Sequence, residues 1–410
     1  MPPVAIQSAG GAEQKNVEHR MGNTNKDHID VAVVGAGILG LAHAFAAVKR
    51  GLRVVVFERS STPIGASIRN FGMGLVTGQP PGVMLGLAKQ SRALWLHLAQ
   101  RANFSAREAG TLLFARTAAE HAVLEEFMIV RARQHGYDAS LLEGAQLDAL
   151  YGGRFRHHRS ALHGTQDLQL YSREAVPALV CYLQSQGVQF HFNTLVREAR
   201  DGHLSTTAGE FRAERTIVCS GHDYQTLFAD KLGEMNLKVC RLQMLRAAPQ
   251  ERLPLTHAVL TGLSCTHYGA FSDLPSAAGV HAEIEAQYPV LNRHGIHLLV
   301  SPTPYQELII GDSHYYGVDA PPFNNEEIDQ LMIGLAEETL GVKLNVLERW
   351  QGVYGSKGPG PFSATPIDGK TTVVLMHTGI GMSVGLALGE RVIGALLDGA
   401  KLPDPAVDKN

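Results

Sequence analysis

VAVVGAGILGLAHAFAAVKRGLRVVVFER, residues 31–59, reads as an apolar strand, a glycine turn, a helix and a second apolar strand that ends on an acid. The strand expected over 31–34 runs into Gly35, Gly37 and Gly40. Their spacing permits a tight turn, close approach of backbone to a pyrophosphate, and close packing of helix on strand. Ile38 and Leu39 belong to the same turn, and the helix expected over 41–49 points unpaired N–H groups and a positive dipole end at the phosphates. Gly51 then turns the chain into a strand over 53–57, followed by Glu58 and Arg59. A carboxylate at Glu58 is placed to accept both hydroxyls of an adenosine ribose and repels the 2′-phosphate of NADP. The unit therefore predicts a bound dinucleotide, FAD or NAD.

Length and composition bound the rest. A chain of 410 residues with 45% hydrophobic and 18% charged residues can bury two cores, which predicts two domains. A net charge of −3 gives no general attraction to nucleic acid or anionic lipid. Cys181, Cys219, Cys240 and Cys265 have no CxxC spacing and are too few for a disulfide framework, so a cytoplasmic location is expected. No run approaches the roughly 18 apolar residues of a membrane span. The polar first 28 residues are read as a flexible extension.

Periodicity divides the remainder. Helical spacing over 81–132 suggests an inserted helical section, and SREAVPALVCYLQSQG from Ser172 reads as a helix closed by Gly187. VQFHFN, LVREAR and FRAERTIVCSG, the last closing on Gly221, read as strands that extend the first sheet. Short apolar runs over 237–312 predict an antiparallel sheet, followed by a helix in NNEEIDQLMIGLAEETL. The predicted class is α/β, with a Rossmann-like nucleotide-binding domain from 29–80, 170–232 and 351–402. A second, antiparallel-sheet α+β substrate domain is expected from 81–169 and 233–350.

The order of four motifs resembles the D-amino-acid oxidase family of FAD enzymes, in particular its glycine and sarcosine oxidase branch. They are the 31–59 unit, LVREAR with TIVCSGHDYQTL, HLLVSPTPYQELIIGDSHYYG, and PIDG with HTGIGMSVGLALGE. The resemblance implies FAD rather than NAD, because the last motif would set a helix N-terminus against the flavin pyrimidine edge. It further implies that Val196 holds the adenine through its backbone, that Ser67, Arg69 and Asn70 border the flavin, and that Gly379, Ile380, Gly381, Met382 and Ser383 cradle it. GDSHYYG with PFNNEEID resembles a branch associated with 2-aminoethylphosphonate and its N-methyl form.

The implied chemistry is hydride transfer from an uncharged amine to flavin, then hydrolysis of the imine to a carbonyl compound, with dioxygen or another acceptor taking the electrons. The substrate would be a small amine carrying an anion. Arg69, His314, Tyr316 and Lys357 are the candidate substrate-side residues. A guanidinium at Arg69 can clamp carboxylate or phosphonate, against the alternative of a surface ion pair. His314 can hydrogen-bond an oxyanion or be structural, and Lys357 lies in the YGSKGPGP loop. The sequence departs from the sarcosine oxidase pattern in three places. No cysteine stands at 352–355 for covalent attachment, so FAD is expected to be non-covalent. The lysine tied there to dioxygen falls near Ile309, and the carboxylate-binding lysine falls at Ser383. His267, His281 and His297 are isolated in sequence, so no metal site is expected. The competing readings are a glycine- or sarcosine-type amino acid oxidase and a non-catalytic flavin-binding regulatory protein.

Overall fold

The computed structural model describes residues 28–405, so the extension expected over 1–28 lies, apart from His28, outside the described residues. Ile29–Val34, Val54–Phe57 and Gln189–His191 run parallel on one side, with Val34 opposite Phe57. Gly209–Val218 and Thr371–Met376 continue the parallel set on the other side, with Val34 opposite Val218. Val31, Ala32 and Val33 are all buried, as they must be where both faces of a sheet are covered. Val196–Arg200 and His203–Thr206 add antiparallel strands beside Gly209–Val218, and Phe362–Pro366 pairs antiparallel with Thr371–Met376.

One face of this sheet carries the helix Ile38–Val48, observed slightly earlier than the expected 41–49 because the glycine turn itself enters the helix. Against it lies the C-terminal helix Gly381–Asp398. The two approach closely: a Cβ at Gly389 would sit 2.7 Å from the carbonyl carbon of Ala42. The helix Val83–Ala102 packs beside them, and its buried Trp95 donates to Met382 O at 2.7 Å.

The second sheet has nine strands, built around Lys238–Pro249, which pairs along its whole length with Leu344–Ser356. Neighbouring strands are antiparallel except Ala258–Thr261 and Thr111–Ala115, which are parallel. Two expectations need correction here. The stretch read as helical over 81–132 contains Thr111–Ala115, and this strand joins Ala139–Glu143 and Ser160–Gly164 in the second sheet. Its run TLLFA is buried at every position, so it lacks the alternation that marks a half-exposed strand. Conversely, 237–312, read as strands, includes the helices Ala277–Gln287 and Pro289–Arg293. Leu344–Ser356 also carries the second sheet past residue 351, where the return to the first domain is expected. No helix of the described residues is long and apolar enough to cross a membrane.

Two histidines give the fold a pH dependence. His43 is fully buried and donates through Nδ1 to Leu39 O at 2.6 Å, and His158 is buried with Nε2 3.0 Å from Thr339 O. Burial pushes both pKa values down to about 4. The unfolded chain, with histidines titrating near 6.5, therefore binds protons that the native state refuses, and stability falls as pH drops from about 6.5 toward 4. The expected slope is up to about 1.4 kcal/mol per pH unit for each histidine. Urea unfolding at pH 7.5, 6.0 and 5.0 measures it, and equal midpoints at the three values contradict the assignment.

Candidate functional site

A cavity of about 850 Å³ opens at the carboxyl ends of the parallel strands, walled on one side by Val34, Gly35, Phe57 and Glu58 and on the other by residues of the second sheet. This is where doubly wound sheets bind ligands. Gly35 has φ of +98°, and a Cβ there would lie 2.4 Å from Cys219 O. Gly37 is the N-cap of the first helix, and Ile38 N donates to Ser67 Oγ at 2.8 Å. Ala36 N and Ser60 N each donate to one oxygen of Glu58 at 2.9 Å, which locks the carboxylate at the cavity wall with lone pairs to spare. Leu39 is also on the wall; Gly40 is not. A Cβ at Gly40 would lie 1.8 Å from Gly35 O, so its task is helix packing rather than ligand contact. Arg59, on the wall, is ion-paired with Asp223 at 2.6 Å. Val196, 2% exposed at the start of its strand, and Gly221, with φ of +66°, complete this end.

The far end is formed by Gly379, Ile380, Gly381 and Met382, where the C-terminal helix starts with its N-terminus at the cavity and no acid in its first turn. Ser383, expected in this cradle, is buried off the wall, and its Oγ accepts from Leu75 N at 2.9 Å. Asn70 lines the cavity, but its amide is spent on the loop: Nδ2 donates to Ala66 O and Ser67 O, and Oδ1 accepts from Gly72 N. Arg69 also lines the cavity. Its carbonyl accepts from Trp350 Nε1 at 3.1 Å, while its guanidinium has no hydrogen bond or ion pair among the described residues.

His314 and Tyr316 reach the same cavity, and their rings lie 6.0 Å apart. Lys357 does not line it. The lysine is exposed, and its Nζ sits 4.8 Å from the centre of the Tyr316 ring, a cation–π contact at the rim.

Sequence reasoning missed several wall residues. Tyr354 packs on the glycine turn, 3.3 Å from where a Gly379 Cβ would be, and burial pushes its phenol well above the ordinary value. His267 and Asp312 are also on the wall, and His267, read as isolated, stacks on His297 with ring centres 4.0 Å apart. Burial holds His267 down to about 3 and His297 well below its usual value, although His267 is open to the cavity itself. No local spacing announces this cluster. Only the Asp312 and His314 of GDSHYYG, two apart in one motif, carry a signal of it.

The arrangement suits a dinucleotide: a glycine turn and helix N-terminus with a ribose-binding acid at one end, and a second glycine turn and helix N-terminus at the other. The profile of the DAO family, described as FAD dependent oxidoreductase, matches residues 30–394. A glycine oxidase from Geobacillus kaustophilus (strain HTA426) is 30% identical over 218 residues, 47% of this chain and 54% of that relative. The aligned part thus spans about half the length of that curated relative. Among solved structures, a glycine oxidase from Bacillus cereus ATCC 14579 is similar with a TM-score of 0.73 at 14% identity, over 91% of this chain and 96% of that one. An L-proline dehydrogenase from P. horikoshii is similar with a TM-score of 0.74 at 17% identity, over 92% and 96% of the two chains. At such identities these likenesses speak to the fold alone.

Proposed function

Because the chain belongs to the DAO family of FAD-dependent oxidoreductases, we propose that it oxidises a small amine carrying an anionic group. Among such amines we favour 2-aminoethylphosphonate or its N-methyl derivative. The observation that carries the anionic group is Arg69, a cavity-lining residue whose guanidinium has no carboxylate partner among the described residues. An unpaired guanidinium facing a cavity is a charge-assisted donor fork for carboxylate or phosphonate. The aminophosphonate assignment rests on the GDSHYYG and PFNNEEID resemblance, since Ser383 supplies no charge and is buried off the cavity wall, where its Oγ accepts from Leu75 N.

FAD, when bound, supplies the hydride acceptor. The residues of this chain bind and orient. The turn at Gly35 and Gly37 and the carboxylate of Glu58 hold the adenosine and pyrophosphate end, with Val196 and Gly221 beside it. The turn at Gly379, Ile380 and Gly381 holds the flavin end, its helix N-terminus favouring negative charge there. Tyr354 backs that turn, and Arg69 and Tyr316 face the substrate, whose amine reacts uncharged, while His314 on the wall has Nδ1 on Gly295 O and Nε2 beside Asp312. Hydride and proton loss from the amine leaves an imine, which water hydrolyses to a carbonyl compound and an amine or ammonia. The cofactor is held without a covalent bond, so acid denaturation is expected to release all of the yellow colour into solution. Oxygen uptake tests the acceptor: Ile309, near which the sarcosine oxidase resemblance would put a lysine, is 3% exposed in an apolar cluster with Met244, and offers no charge to dioxygen.

A second reading has its own support. The curated relative at 30% identity is a glycine oxidase, which supports glycine or sarcosine as the alternative substrate. Anaerobic mixing with 2-aminoethylphosphonate, its N-methyl form, glycine and sarcosine, followed near 450 nm as a flavin-centred reaction requires, separates the two. Bleaching by the phosphonates alone is the expected result. Bleaching by the carboxylates alone moves the enzyme to the glycine and sarcosine group, and bleaching by none leaves a flavoprotein whose proposed substrates are wrong.

A further inference from the structure

We propose that His267, His297 and His314, together with the carboxylate of Asp312, form a binding site for one divalent transition-metal ion, of the zinc class, at the edge of the cavity. The three histidines offer ligand nitrogens that all lie within 4.8 Å of one another. They come from separate parts of the second sheet and its connections, so only the tertiary fold assembles them.

The tautomers favour ligation. His314 Nδ1 donates to Gly295 O at 2.8 Å, which leaves the Nε2 lone pair of the neutral ring available. His297 can be arranged in the same way: with Ser264 Oγ donating to His297 O at 3.3 Å, His297 Nδ1 can donate to Ser264 Oγ at 3.1 Å, the tautomer that leaves Nε2 bare for an ion. Metal-bound histidines are held by this pattern, the far nitrogen fixed by a carbonyl or hydroxyl and the near one free. Both free nitrogens point at one carboxylate, with His297 Nε2 3.4 Å from Asp312 Oδ1 and His314 Nε2 3.6 Å from Asp312 Oδ2.

Two of these atoms are orphaned. His297 Nε2 and Asp312 Oδ1 are buried without a hydrogen-bond partner, in residues only 5% and 6% exposed. Leaving such groups unpaired is costly, and an ion bound between them satisfies both. Charge selects the class of ligand. A carboxylate among imidazoles repels an anion and attracts a cation, and imidazole with carboxylate suits zinc and its neighbours better than calcium or magnesium. Ligand atoms about 2.1 Å from a tetrahedral ion lie about 3.4 Å apart, so the cluster must contract. His267 is the member free to move, being open to the cavity and stacked on His297 with rings 25° from parallel. Ion binding turns its ring out of the stack.

The test uses the FAD-loaded protein, stripped with a chelator and dialysed against Zn²⁺, with metal per chain measured directly. Saturable uptake of one Zn²⁺ per chain is expected, and Co²⁺ in its place is expected to give visible bands on the long-wavelength side of the flavin. His267→Phe keeps a stacked ring but removes a ligand; it is expected to weaken uptake at least tenfold while retaining FAD. His157→Ala, a histidine outside the cluster, is expected to leave uptake unchanged. Absence of saturable uptake, or equal uptake by the parent, His267→Phe and His314→Gln, overturns the proposal. None of these readouts depends on which amine is oxidised, so the site and the substrate reading fail separately.

Discussion

Gly40→Ala is expected to yield protein that carries no FAD and unfolds at far lower denaturant than the parent. A Cβ at residue 40 would stand 1.8 Å from Gly35 O and 3.0 Å from Gly35 C. Neither neighbour can retreat. Gly35 N donates to Phe57 O at 2.8 Å, and a Cβ on Gly35 itself would lie 2.4 Å from Cys219 O, so this turn is confined between the two strands. Relief therefore requires moving the first helix off the sheet, which would also carry Ile38 N away from Ser67 Oγ and open the pyrophosphate turn. Overpacking of this kind costs about 3 kcal/mol or more, well beyond the roughly 1 kcal/mol that alanine gains over glycine inside a helix. Gly51→Ala is the matched control. Its φ of +78° makes alanine strained there, but a Cβ would meet nothing within 4 Å. It should lose roughly 1 kcal/mol and keep its FAD. The ratio of flavin to protein absorbance, with a urea unfolding curve, reads both. A fully flavinated Gly40→Ala would show that the helix has room the structure denies it.

Arg69→Met is expected to raise KM for the best amine by about 10- to 1,000-fold, with FAD content and the flavin spectrum unchanged. The range corresponds to about 1.5–4 kcal/mol for a charge-assisted clamp on an oxyanion lost from a partly buried site. Methionine keeps much of the length and the apolar stem, so packing around Trp350 survives: that contact is made by the Arg69 carbonyl, not by the side chain. Lys357→Met should change KM less than about threefold, since its ammonium lies exposed over Tyr316 and off the cavity wall. A KM for Arg69→Met within threefold of the parent would remove the guanidinium from substrate recognition and take with it the main support for an anionic amine. A loss confined to kcat would instead place Arg69 near the reacting atoms rather than at the anion.

The candidate site was legible where one contiguous motif carries it and hidden where separate motifs meet. Gly35, Gly37 and Glu58 could be read directly, because turn, helix N-terminus and acid lie within one short unit whose strand and helix periods are local. Asn70 and Ser383 show the limit even inside a motif. Both stand where resemblance places a cofactor contact, yet the Asn70 amide is taken by the loop around it and the Ser383 hydroxyl by Leu75. Which of several hydrogen-bond partners a side chain finds is a matter of what the fold brings near, not of its neighbours in sequence.

By itself, then, the sequence determined the nucleotide-binding unit and the two-sheet α/β architecture, since these rest on glycine spacing and on apolar periods that reach only a few residues along the chain, while the FAD family followed from the resemblance carried by four motifs. Tertiary structure alone decided that Thr111–Ala115 is a strand of the second sheet, that Arg69 stands unpaired while Arg59 finds Asp223, and that His267, His297, His314 and Asp312 converge. The reason is physical. A fully buried strand has no alternation to betray it, and pairing and clustering depend on sheet register between segments tens to more than a hundred residues apart, for which no spacing along the chain is a proxy.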